Sequence, residues 1–138
     1  MPTVPGTATA PGPGRLVLLA LASAAGVFLV SFLAATVGVI QGLVGVAVLL
    51  RGTAGSLMIV LIASQHAARW RPASLPPYAA VGLVSYLINP LSWSGRALFG
   101  QVTGNPFAAF ALDAVWWVGL FVGAVWLRTR MSRSAPSR

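Results

Sequence analysis

The sequence contains no cysteine, no lysine and no glutamate, and Asp113 is its only acidic residue. The lack of cysteine excludes disulfide bonds, thiolate catalysis and cysteine-ligated metal sites. The chain also lacks the groups needed for Schiff-base, paired-carboxylate and two-metal catalysis. The single histidine, His66, is expected at the opposite end of the molecule from Asp113, which rejects a Ser/His/Asp triad. We therefore expect no enzyme activity, no metal site and no cofactor.

Charge of either sign is scarce. Charged residues make up 7% of the chain and hydrophobic residues 57%, whereas a soluble domain has about 25% charged residues. A surface so poor in charge is suited to lipid rather than to water. The nine basic residues are all arginine and lie singly or in pairs at the edges of apolar runs, so the pattern indicates membrane topology and not nucleic-acid binding.

Residues 16–50 form one uncharged run of 35 residues. A single helix of that length would measure about 52 Å, against a hydrocarbon core of about 30 Å. The run must therefore contain a turn, and Gly38 to Gly42 is the best candidate because two glycines and Gln41 interrupt the apolar sequence. This predicts helices over 16–37 and 42–66. A re-entrant segment over 39–55 is the alternative.

The second half of the chain predicts two more membrane helices, over 77–99 and 106–127. Asn89-Pro90 falls within the third helix, where a membrane usually tolerates it as a kink. Residues 1–14 are rich in proline, glycine and threonine and are expected to form a disordered cytoplasmic tail. Residues 128–138 are expected to form a basic cytoplasmic tail. The predicted fold is an all-α bundle of four transmembrane helices, with one transmembrane domain over 15–127.

The distribution of the arginines predicts how this bundle is oriented in the membrane. With four helices, one side of the membrane receives seven arginines and the other only Arg96. Under the positive-inside rule, both termini are then cytoplasmic. The alanine-, glycine-, proline- and arginine-rich composition suggests the plasma (inner) membrane of a bacterium. The seven arginines are Arg15, Arg69, Arg71, Arg128, Arg130, Arg133 and Arg138.

Asp113 and Arg51 are predicted to lie at comparable depth in helices 4 and 2. A lone carboxylate at such depth costs at least about 2.5 kcal/mol, so it should be protonated or paired. We expect a buried ion pair between Asp113 and Arg51, with Arg96 as the alternative partner. A third possibility is that both arginines extend to the membrane surface and Asp113 is neutral.

Ser85, Asn89, Ser92 and Arg96 are spaced to share one face of the third helix. Lipid offers a polar face no hydrogen-bond partners, so this stripe should point into the bundle. The functional interpretation is a water-accessible cavity or substrate path. The structural interpretation, favoured by the sequence alone, is hydrogen bonding between helices.

Two GxxxG motifs, Gly119–Gly123 and Gly38–Gly42, predict close packing between helices. Self-association through Gly119 and Gly123 is an alternative use of the same motif.

The sequence favours a small, non-catalytic accessory or scaffold subunit of a larger membrane complex, because reactive groups and a sizeable soluble part are both lacking. The alternative is a minimal transporter or channel, as a monomer or homodimer, with Asp113 as a protonation or ion-pair site. The expected partners are the lipid bilayer and other membrane subunits or a second copy of the chain.

Overall fold

The computed structural model describes residues 11–70, 72, 74–93 and 103–134. These residues form four α-helices and one short 3-10 helix. In chain order they are α1 (Pro13–Ile40), α2 (Val44–Trp70), α3 (Pro76–Ile88), a 3-10 turn (Pro90–Trp93) and α4 (Pro106–Ser134).

Three of these helices, α1, α2 and α4, are long and apolar enough to cross a membrane. With 28, 27 and 29 residues, each is about 40 Å long at about 1.5 Å per residue, more than the hydrocarbon core requires. The all-helical class is thus confirmed, together with three candidate membrane spans.

The helices extend further than the predicted boundaries. α1 begins at Pro13, where proline is well tolerated because a first-turn N–H has no helical partner, so only residues 1–12 precede it. α4 continues to Ser134 instead of ending at residue 127. In this extension the hydroxyls of Thr129 and Ser132 donate to the carbonyls of Val125 and Arg128, so the polar side chains are satisfied within the helix. Residues 1–10 and 135–138 of the predicted tails lie outside the described residues.

The chain reverses direction between α1 and α2 at residues 41–43. Gly42 has a φ of 72°, a left-handed conformation that glycine adopts without a steric penalty. The amides of Gly42 and Leu43 donate to the carbonyls of Val39 and Gly38 at 3.0 and 2.9 Å. This is the Schellman arrangement, which satisfies the last carbonyls of a helix. From there α2 runs as one continuous helix through Arg51.

α3 ends at Ile88, not at the predicted residue 99. Proline disfavours a helical conformation in the residue before it, and Asn89 is extended with φ −76° and ψ 120°. The Asn89 side-chain oxygen then accepts the amide of Leu91 at 2.9 Å, which starts the 3-10 turn. Asn89-Pro90 therefore interrupts the regular α-helix, and a 3-10 turn follows it. Residues 94–102, including Arg96, lie outside the described part of the chain.

The four helices alternate in direction. The start of α1, the end of α2, the start of α3 and the second half of α4 share one core cluster, which includes Leu19, Ala67, Tyr78 and Val125. We call this end of the bundle, where α1 starts and α4 ends, the arginine end. At the opposite end, the rings of Tyr86 in α3 and Phe110 in α4 lie 5.1 Å apart. We call this the cavity end.

Small residues allow the helices to approach closely, which matters because lipid provides little hydrophobic drive for helices to associate. Ala63 and Ala67 of α2 are fully or almost fully buried. A Cβ added to Gly82 would lie 3.3 Å from the Cβ of Phe121 and 3.4 Å from the Cα of Val118. The contact between α3 and α4 therefore depends on a residue without a side chain.

Candidate functional site

Arg51 and Asp113 line the same cavity. Each comes from a long helix, α2 or α4, and each lies about two turns from the end of that helix at the cavity end. The cavity has a volume of about 70 Å³, which is enough for a few water molecules. Both residues also interact with other groups of the chain. An arginine and the chain's only acid thus face one space inside the bundle.

Neutral polar and aromatic side chains complete the cavity. They come from α1, α2, α3, the 3-10 turn and α4, so every described helix contributes to the wall. The polar members are Ser31, Ser56, Asn89 and Ser92, and the aromatic members are Tyr86, Trp116 and Trp117.

Ser31 of α1 joins the wall at a close contact between α1 and α2. Its hydroxyl donates to the carbonyl of Arg51 at 3.2 Å. A Cβ added to Gly55 would lie 2.7 Å from the Ser31 hydroxyl and 3.2 Å from Val27, so only glycine fits at position 55 without a shift. This contact holds α1 against the turn of α2 that carries Arg51. The sequence prediction did not include Ser31, because a single serine in an apolar helix gives no periodic signal.

Asn89 lines the cavity and makes two hydrogen bonds through its side chain. It is 0% exposed, and its side-chain nitrogen donates to the carbonyl of Ala24 at 3.4 Å. Its side-chain oxygen accepts the amide of Leu91. One residue therefore ends α3, starts the 3-10 turn and ties both to α1. Ser92 lies in that turn and also lines the cavity.

Ser85 belongs to a different environment from Asn89 and Ser92. It is buried, its hydroxyl donates to the carbonyl of Gly82 at 2.9 Å, and it does not line the cavity. It also accepts a hydrogen bond from the indole N–H of Trp117 at 3.0 Å. The predicted polar stripe is therefore divided: Ser85 joins α3 to α4, whereas Asn89 and Ser92 face the cavity, and Arg96 lies outside the described residues.

The aromatic walls are held by hydrogen bonds to the protein itself. The indole N–H of Trp116 donates to the hydroxyl of Ser56 at 3.1 Å, which joins α4 to α2. The Tyr86 hydroxyl donates to the carbonyl of Phe110 at 3.1 Å, and the Tyr86 and Trp117 rings meet edge to face with centroids 5.4 Å apart.

The predicted packing glycines have three different environments. A Cβ on Gly38 would lie 2.9 Å from the Cα of Ala47, so this glycine allows α1 and α2 to approach. Gly42 allows the chain to turn because its φ is positive. A Cβ at this position would meet nothing within 4 Å. Gly119 and Gly123 likewise have open space at the Cβ position, so none of the helices in the described residues packs closely on the second motif.

A second group of polar side chains lies at the arginine end. The Tyr78 hydroxyl lies 3.3 Å from Nε2 of His66, and the two rings meet edge to face at 5.7 Å. The Arg15 guanidinium lies over the Trp70 ring, 3.8 Å from its centroid. Within the described ranges, His66 has no cluster of potential metal ligands around it.

The arrangement at the cavity end can bind a polar solute, hold water or exchange a proton at Asp113. No protein family, no characterised protein and no solved structure gives a significant match to this chain.

Proposed function

We propose that the chain is a four-span protein of a bacterial plasma membrane, with both termini in the cytoplasm, and that it works as a minimal transporter or channel. In this proposal the cavity lined by Arg51 and Asp113 is the solute or proton path. The observation that carries the proposal is that the only acid of the chain and an arginine from another helix line one cavity.

The fourth span is supported by the course of the chain. α3 has 13 residues, which reach about 20 Å, or two thirds of a hydrocarbon core of about 30 Å. α3 starts at the arginine end and α4 starts at the cavity end, so the chain passes from one end of the bundle to the other between these two points. The seven arginines on the side of the termini favour a cytoplasmic location for both.

Energetic cost supports a functional role for the two charges. Placing arginine or aspartate at the centre of a membrane helix costs about 2.5–3.5 kcal/mol by insertion scales, and such residues usually mark ion, proton or substrate paths. Ordinary helix packing does not require this cost, because small residues and serine hydroxyls already join the helices here. A broken helix beside a polar cavity is also typical of transporters, where irregular backbone inside the membrane lines a binding site.

The chemistry of Asp113 suggests how such a path would work. Arg51 stays protonated, whereas an aspartate exchanges its proton when water reaches it. In the ionised form Asp113 balances the charge of Arg51, and in the neutral form it leaves a net positive cavity. Proton exchange would thus change the attraction of the cavity for an anion or a cation.

Cysteine accessibility tests whether the cavity is a path. The chain has no native cysteine, so Ser56→Cys and Ser92→Cys each introduce one thiol into the cavity wall. We expect a charged, membrane-impermeant thiol reagent to label both variants in intact vesicles. Ser23→Cys is the matched control, because Ser23 is 0% exposed and does not line the cavity. Absence of labelling at both wall positions contradicts the proposal.

Proton flux tests the role of Asp113. Proteoliposomes with a trapped pH dye should show proton movement with the unmodified chain and lose it with Asp113→Asn, which keeps the shape but cannot ionise. Asp113→Glu should retain measurable flux. An unchanged flux in Asp113→Asn rejects Asp113 as the protonation site.

A second candidate function is an accessory or scaffold subunit without catalytic activity. It is favoured by the outward face of α4, where Gly119 and Gly123 have open space and Val115 is 70% exposed. Glycines spaced in this way allow a helix of another chain to approach closely. Other membrane subunits or a second copy of this chain are the proposed partners.

Purification in mild detergent distinguishes the two functions. An accessory subunit should copurify with defined partners, and Gly119→Leu together with Gly123→Leu should release them. The matched control is Gly14→Leu, since Gly14 also has open space but lies in the first turn of α1. Recovery of a monodisperse single chain that still conducts protons counts against the subunit function.

A further inference from the structure

Two arginines flank one tryptophan at the arginine end. The guanidinium carbon of Arg15, at the start of α1, lies 3.8 Å from the centroid of the Trp70 ring, and that of Arg69 lies 5.8 Å from the same centroid. Both arginines are exposed, and Trp70 is partly buried. We call Arg15, Arg69 and Trp70 the Arg–Trp clamp. It joins the start of α1 to the end of α2.

The clamp holds two like charges close together, and the chain has no acid to balance them there. The only acidic residue is Asp113, which lines the cavity near the opposite end of the bundle. Arg128, Arg130 and Arg133 at the end of α4 add further positive charge at the arginine end and are also exposed. The electrostatics of this end therefore favour an anion from outside the chain.

The cation–π contact of Arg15, 3.8 Å from the ring centroid, leaves its guanidinium able to bind that anion, and the Arg69 guanidinium lies 5.8 Å from the same ring. A guanidinium that lies flat on an indole uses its face for the cation–π contact, while its N–H donors lie in its plane and point outward. These donors match the oxygens of a phosphate and can bind two of them at once. Because the ring also restrains the side chains, less rotational freedom is lost on binding.

The apolar surface beside the clamp indicates that the phosphate belongs to a lipid. Val17 and Leu18, which follow Arg15 within the next turn of α1, are 59% and 66% exposed. These side chains are suited to acyl chains, whereas the clamp is suited to a headgroup. A tryptophan at the end of a membrane helix is also typical of the headgroup region.

We propose that the Arg–Trp clamp is a binding site for the phosphate of an anionic phospholipid, with the acyl chains lying along the first turns of α1. The proposal depends on the membrane placement of α1 and α2 and not on the function of the cavity. It assigns a specific lipid partner to the arginine end, in addition to the topological role of its arginines.

Native mass spectrometry of the full chain in detergent tests the proposal by titration with phosphatidylglycerol. Replacing both clamp arginines in Arg15→Gln/Arg69→Gln should weaken binding of the first lipid about thirtyfold, since each guanidinium that hydrogen-bonds the phosphate directly contributes at least about a factor of five. The matched control is Arg128→Gln/Arg133→Gln, which removes the same charge from the same end but leaves the clamp intact. We expect this control to weaken binding by less than about threefold, because these arginines do not contact the bound phosphate and their longer-range attraction is screened by salt.

Three further arms make the result decisive. Phosphatidylcholine with identical acyl chains should bind much more weakly than phosphatidylglycerol, and inorganic phosphate should not displace the lipid. Arg15→Lys/Arg69→Lys, which keeps the charge but loses the planar donor pattern, should bind less well than the unmodified chain. Equal losses in the clamp and control variants, equal binding of the two lipids, or displacement by inorganic phosphate would each overturn the proposal.

Discussion

The two ends of this bundle handle charge in different ways. At the cavity end, Arg51 and Asp113 line one cavity inside the bundle, where we predict that the two charges compensate each other. At the arginine end, Arg15 and Arg69 flank Trp70, and the chain's only acid is elsewhere. Charges inside a membrane must be compensated by the protein, whereas charges at its edge can be compensated by water, ions and headgroups. The comparison implies that mutations should cost most at the cavity end.

The largest expected effect comes from inverting one charge in the cavity. Arg51→Asp would place two acids there, and Asp113→Arg two cations, each lowering the free energy of unfolding by about 3 kcal/mol or more. The exchange variant Arg51→Asp/Asp113→Arg should recover most of this loss. Unfolding in detergent mixtures, followed by tryptophan fluorescence, measures the three values. If the exchange variant is as unstable as either single variant, the two charges do not compensate each other.

The next effect concerns close helix contact at the cavity end. Gly38→Ala should lower the free energy of unfolding by about 1–3 kcal/mol, because overpacking forces the backbone to shift. The added methyl would lie 2.9 Å from the Cα of Ala47, which belongs to the backbone and cannot rotate away. Gly119→Ala is the matched control, with open space at the same atom. Equal stability of the two variants in thermal unfolding would show that α1 and α2 are not held at this distance.

A smaller effect is expected from the residue that ends α3. Asn89→Ala removes the acceptor for the Leu91 amide and the donor to the Ala24 carbonyl. Loss of a cap and of one buried hydrogen bond should lower the free energy of unfolding by about 1–2 kcal/mol. Hydrogen exchange at the 3-10 turn measures the local effect, and unchanged protection in Asn89→Ala would contradict this role.

The sequence predicts much of the cavity end because the relevant signals are periodic or rare. Two glycines and Gln41 in a long apolar run locate the turn region, and helical spacing places Arg51 and Asp113 at similar depth. The end of α3 was not predicted correctly, because an Asn-Pro pair in a membrane helix is compatible with a kink or with a break. The local bond from the Asn89 side chain to Leu91 favours the break, and sequence spacing does not show it.

The sequence also does not show how each helix is rotated about its own axis. In α4 most residues on every face are apolar, so the sequence does not indicate which face meets α2 or α3. Gly119 and Gly123 therefore fit a packing prediction, yet in the structure they face open space. Ser31 and Ser56 enter the cavity wall through contacts between helices, which depend on that same rotation. The Arg–Trp clamp was also not predicted, because it joins Arg15 to residues more than fifty positions away.

The smallest expected effect on stability is at the arginine end. Trp70→Leu removes the ring under Arg15, and an exposed cation–π contact contributes about 0.5–1 kcal/mol. Leucine keeps an apolar side chain at this partly buried position, so we expect a change of about this size in the free energy of unfolding in neutral detergent, measured by thermal unfolding. Addition of phosphatidylglycerol should stabilise the unmodified chain more than Trp70→Leu, since a ligand that binds the folded state raises its stability. Trp126→Leu is the matched control, because Trp126 lies near Arg130 but outside the clamp. A stability loss of several kcal/mol in detergent alone would mean that Trp70 holds the helices together, and the contrast between the two ends would then fail.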